Sequence, residues 1–219
     1  MGIDEIIHQR KAALLHEFAH GAIPPLVEVE DSKGLGSLMH LDEFGTGATG
    51  GSLGRRSIGN VVMVAGNGRH HGASLWVRAS YKDYRAAYLA FIKVAYGLAI
   101  TPVALALYDI DHLLNRARAG QGGGTLLRIE ALPRATNRQW GALIERLASS
   151  DLIDGNQRRR RLMSHLIAGK VAGFAPPENL ADVAGRARLA RQLASLGLDV
   201  NEVRRGLDGM LEHIARNQP

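Results

Sequence analysis

The sequence predicts an α+β protein: a small mixed β region holding a hairpin-and-helix unit, followed by a helical C-terminal region. Three observations carry this. Segments with the two-residue alternation of strands interleave with segments of helical period up to about residue 150. From Asp151 onward the pattern is helical throughout. The 219 residues are 46% apolar and 22% charged, which suits a chain that buries a core and argues against wholesale disorder or a polytopic membrane protein. The expected division is an α+β domain over 1–150 and a helical region over 151–219.

Taken in order, Ile3 to about His20 repeats apolar residues at Ile3, Ile6, Ile7, Leu14, Leu15 and Phe18, the spacing of a helix. Pro24-Pro25 ends it, and Leu26 to Glu30 alternates apolar with acidic residues as a half-buried strand does. The run VVMVA within Asn60 to Ala65 reads as a buried strand, and Leu75 to Ser80 as another. Tyr81 to Tyr96 returns to helical spacing and closes at Gly97. Thr101-Pro102 is a helix start, and VALALYDIDHLL after it reads equally as a helix or as a short helix feeding a strand. Leu126 to Leu132 alternates as a strand, and Arg134 to Ser150 is helical. Three further helices are expected over Arg158 to Ala172, Leu180 to Leu196 and Val200 to Ala215.

Twenty-seven Lys and Arg against 21 Asp and Glu leave a net charge of +6, which favours a polyanionic partner and equally serves solubility. Without cysteine there is no disulfide, no thiolate metal site and no cysteine nucleophile. The acids in MGIDEIIHQRK do not read as a secretory signal, so any export is expected to follow a signal-less route. Ala87 to Tyr108 approaches the length of a membrane span, but Lys93, Gly97 and Thr101-Pro102 interrupt it, and no membrane partner is expected.

Two constellations carry chemistry. The first is His16-Glu17-Phe18-Ala19-His20, which on a helix turns two imidazoles to one side for Zn²⁺, with Glu17 placed to deprotonate a bound water. It resembles the zincin metallopeptidase signature, although only fifteen residues precede it and no Gly-x-x-His follows. The plain alternative is two polar positions on a surface helix.

The second runs Tyr108-Asp109-Ile110-Asp111-His112, a glycine-rich basic loop, the strand ending Ala131-Leu132-Pro133, and a helix start at Ala135-Thr136-Asn137-Arg138. A return strand undoes the chain's outward travel, so Asp111, His112 and Asn137 are expected to meet. Asp and Asn oxygens suit Mg²⁺ or Mn²⁺, and a neutral His accepts a proton from water.

Over about forty residues, Tyr108 to Arg146, the chain resembles the HNH, or ββα-metal, nuclease superfamily through the Asp111-His112 pair, the loop, LRIEALP and TNRQWG. The arrangement is also similar to nuclease domains of interbacterial toxins and type VI secretion effectors. The resemblance implies metal-dependent hydrolysis of phosphodiesters, with Asp111 and Asn137 as metal ligands, His112 as general base and Arg116 stabilising charge on the phosphate. It also implies delivery into a target cell and a cognate immunity protein as partner. The family's middle Asn is missing near Thr125 to Arg128, which leaves Glu130 or a backbone carbonyl to orient His112. Arg118, Arg134, Arg138, Arg158 and Arg159 are expected to complete a groove that binds nucleic acid, chiefly DNA, without reading sequence. Only 5% of the chain is aromatic, so a stacking platform for single strands is not supported.

Weaker features complete the inventory. Phe44 to Ser57 is a glycine-rich stretch without the P-loop ending, Arg69-His70-His71 is a short basic motif, and Arg158 to Arg161 places four cations where a helix dipole disfavours them. A non-enzymatic basic module that binds nucleic acid or protein is the remaining alternative.

Overall fold

In the computed structural model, which describes residues 1–31, 35, 60–64, 72–116, 125–141, 160–179 and 181–216, the longest strand organises the rest. Leu126–Pro133 (β5) is buried on both faces over most of its length, its alternation interrupting the apolar residues with Arg128 and the buried Glu130. Ser74–Arg78 (β3) lies antiparallel along one edge, with Leu75 opposite Ile129 and Val77 opposite Leu127. Leu26–Val29 (β1) and Tyr108–His112 (β4) share the other edge end to end: Glu28 faces Leu127, and His112 faces Ile129. Val61–Val64 (β2) extends the sheet beyond β3. The fold is α+β, with a six-stranded antiparallel sheet.

Helix Ile3–His20 (α1) forms as the apolar spacing predicts, with Asp4 and Glu5 favourably placed in its first turn. Tyr84–Tyr96 (α2) ends where Gly97 takes a φ of 68°, the left-handed cap that glycine adopts without strain. Thr101-Pro102 opens only a 3₁₀ turn, Pro102–Leu105, and the ambiguous stretch then feeds β4. Arg134–Trp140 (α3) follows β5 directly. His165–Ala172 (α4), Val183–Ala194 (α5) and Val200–Arg216 (α6) close the chain.

One expected helix is corrected. Arg158 to Ala172 is not helical throughout, because Arg160–Leu162 is a strand (β6) antiparallel to β1. Glu28 is fully buried, and Arg161 Nε lies 3.0 Å from its carboxylate, so the strand delivers a cation to a buried acid. The helix begins after Ser164, whose hydroxyl accepts from the Ile167 N–H. Arg160 and Arg161 therefore belong to the strand and do not oppose the helix dipole.

The helices beyond residue 151 share a core with the sheet. Leu14 and Phe18 of α1 and Leu127 of β5 pack with Trp140, Val171, Leu189, Val203 and Leu207. On the α2 side, Ile6, Ile7, Leu75, Val77, Phe91, Ile92 and Ile129 pack together. Trp140 donates from Nε1 to the Phe174 carbonyl at 2.8 Å, and Gly169 leaves the space its ring fills. Among the described residues no helix is long and apolar enough to cross a membrane.

Candidate active site

Tyr108–His112 and Leu126–Pro133 build the paired strands, and Arg134–Trp140 the helix start, that the sequence predicts: β4 and β5 pair antiparallel from Tyr108 opposite Pro133 to His112 opposite Ile129, and α3 continues from β5. Strand alternation then sorts the side chains of β4. Asp109 and Asp111 lie on one face, while Ile110 and His112 lie on the other.

The Asp109 and Asp111 face is covered by α3 and α4. Asn137 Nδ2 donates to Asp109 Oδ2 at 3.4 Å, although 28 residues separate them. Arg134, one turn earlier on α3, reaches Asp109 Oδ1 at 3.2 Å. Two residues along the strand, Lys170 of α4 places its Nζ 2.7 Å from Asp111 Oδ2. Asn137 Oδ1 is buried and has no hydrogen-bond partner among the described residues. Beside this face is a cavity of about 180 Å³, with Trp140 and Met210 in its apolar wall and Asn115, Arg161, Ser164 and Lys170 as its polar groups.

The opposite face holds His112, 3% exposed, in an edge-to-face contact with Tyr84 of α2 at 4.7 Å between ring centroids. Arg116 lies over the same tyrosine ring at 5.9 Å, within cation–π range. Burial pushes the imidazole down to about 4; the Arg116 and Lys170 cations add to the effect and Asp111 opposes it. His112 is therefore neutral at pH 7, and its Nε2 has no hydrogen-bond partner among the described residues.

Glu130 stands opposite Asp111 across the β4–β5 pair, yet its partner comes from α1. Arg10 of α1 grips its carboxylate through two nitrogens, at 2.7 and 2.8 Å from Nη2 and 3.1 Å from Nε. Arg128 Nε adds a longer contact at 3.4 Å. Arg10 also lies over the Phe91 ring at 4.6 Å and donates to the Tyr96 hydroxyl.

The structure thus joins Asn137 to Asp109 rather than to His112, gives Asp111 a lysine partner, and engages Glu130 with Arg10. Ligation of one ion by Asp111 and Asn137 beside His112 does not follow from this arrangement, because β4 separates His112 from α3. Arg134 and Arg138 are exposed one turn apart on α3, while Arg118, Arg158, Arg159, the glycine-rich stretch 44–57 and the motif 69–71 lie outside the described residues. Lys170, Arg10 and Tyr84 were missed in sequence. The lone cation inside LIAGKVA, an otherwise apolar helix, was the available signal for Lys170.

No family model matches the chain, and no match was found among curated proteins or solved structures.

Proposed function

We propose that the chain is a divalent-metal-dependent phosphodiester hydrolase working at the Asp109 and Asp111 face of its β4–β5–α3 unit. The single observation behind the proposal is the convergence of Asp109 and Asn137 from strand and helix, with Asp111 on the same face. Two carboxylates and an amide oxygen are the hard donors that Mg²⁺ or Mn²⁺ takes. The buried Asn137 Oδ1 without a partner fits a ligand that awaits a cation. Such an ion would polarise a phosphoryl oxygen and acidify a bound water. Lys170 beside Asp111, and Arg134 with Arg138 on α3, would offset phosphate charge and hold a nucleic-acid backbone without reading bases.

In this reading His112 makes no contact with the ion, since it faces α2. Its neutral imidazole is buried against Tyr84, with Arg116 over the same ring. The expected substrate is DNA, in keeping with a toxin delivered to a target cell and restrained by an immunity protein.

The test is cleavage of plasmid DNA and of structured RNA in Mg²⁺, Mn²⁺ or EDTA. We expect cleavage with either ion, none in EDTA, and a loss of at least a hundredfold in Asp109→Asn and Asn137→Ala. Comparable loss in His112→Ala with unchanged Mn²⁺ affinity would give His112 a part in the chemistry from its own face. Cleavage undiminished in EDTA overturns the proposal.

One observation favours a second reading. Asp109, Asp111 and Glu130 each already lie against a basic side chain, the pattern of a structural ion-pair network. A basic module that binds nucleic acid would show salt-dependent binding and no cleavage with any divalent ion.

A further inference from the structure

We propose that His16 and His20 form a two-imidazole chelate for a late first-row transition metal, on α1 and outside the β4–β5–α3 unit. The two residues are one turn apart, and their ring centroids lie 4.7 Å apart with the rings inclined at 53°. That spacing can be set against what chelation requires. An imidazole nitrogen binds such a metal at about 2.0–2.1 Å, and the ring centroid lies about 1.1 Å behind it, giving a metal-to-centroid distance of about 3.2 Å. Two such vectors spanning 4.7 Å subtend about 95° at the metal, close to the right angle of square-planar or octahedral sites. A tetrahedral angle would need the centroids about 5.2 Å apart, a shift of half an ångström. The spacing therefore suits a late first-row metal such as Ni²⁺ or Cu²⁺, and a small side-chain rotation would admit Zn²⁺.

Three features around the pair support a cation there. His20 is in the last turn of α1, where unsatisfied carbonyls favour positive charge. Its ring packs against Gly197, whose φ is 99°; a Cβ there would lie 2.6 Å from the ring's Cε1 and displace it. Only glycine leaves room for the ring at this position. Both histidines also line a recess of about 310 Å³ whose apolar wall includes Leu15, Ala172 and Leu196, with room for water on the remaining coordination positions. Among the described residues no third His, Asp or Glu completes a larger cluster, so the inference requires neither a peptidase nor a catalytic role for Glu17.

The experiment is Ni²⁺ titration of the tag-free, EDTA-treated full chain by calorimetry without nucleic acid, so its outcome is separate from any nuclease result. We expect one site, weakened at least tenfold in His16→Gln and in His20→Gln. His8, two turns before His16 in the same recess, is the control, and His8→Gln should bind within twofold of wild type. Should a variant fail to fold, paramagnetic broadening of the His16 and His20 ring resonances in the wild-type chain reads the same site. Absence of Ni²⁺ binding, binding unchanged in both single variants, or broadening confined to other histidines overturns the proposal.

Discussion

Replacing Arg10 with Met tests whether Glu130 serves the fold. The Glu130 carboxylate is 3% exposed, and Arg10 supplies its closest contacts, at 2.7 and 2.8 Å. Removing one partner of such a pair leaves a charge in low dielectric and costs about 3–5 kcal/mol. Losing the cation over Phe91 at 4.6 Å adds up to about 1 kcal/mol. Arg128 at 3.4 Å retains part of the compensation, so the expected loss is near the low end, about 3 kcal/mol. The double variant Arg10→Met, Glu130→Leu removes both charges and should return to within about 1 kcal/mol of wild type. Urea unfolding followed by circular dichroism measures both, provided the m-value is unchanged. A single variant costing under about 1 kcal/mol, or a double as unstable as the single, would refute the reasoning.

Other outcomes follow from the same contacts. The unfolded chain takes up the His112 proton below about pH 6.5, while the fold resists until about 4. The stability contributed by the neutral ring is therefore complete above 6.5 and lost as pH falls toward 4. The loss reaches about 3 kcal/mol at 1.36 kcal/mol per unit; His112→Phe should flatten this dependence in urea titrations across that window, and an unchanged slope would contradict the burial argument. Gly169→Ala sets a methyl 2.9 Å from Leu189 Cδ1 and 3.1 Å from the Trp140 ring, and overpacking there should cost about 1–3 kcal/mol by thermal melting. Ser164→Ala removes the cap of α4 and should cost about 1 kcal/mol by the same measurement; no change would mean that α4 does not depend on it.

The hairpin was legible in part: β5 alternates in sequence and α3 follows without a break, whereas the β4 segment read equally as helix or strand until its pairing with β5 decided it. The pairing of polar groups was not legible. Lys170 and Asp111 are 59 residues apart, and Arg10 and Glu130 are 120 apart; no local period encodes a contact between a helix and a distant strand. The arginine run was misread because RRLMSHLIAGKVA has helical spacing if Ser164 is passed over. The unfavourable dipole at its start was the clue that the helix begins later. His112 was placed with Asn137 by proximity along the hairpin, but adjacent strand residues face opposite sides, and one position decides whether a side chain meets α2 or α3.

The most direct measurement is Mn²⁺ binding to the His16→Gln, His20→Gln background, read by electron paramagnetic resonance with and without Asp111→Asn and Asn137→Ala. One bound ion, lost in both variants and kept in His112→Ala, is the predicted result. Binding that ignores Asp111 and Asn137, or no binding at millimolar Mn²⁺, would contradict the hydrolase account.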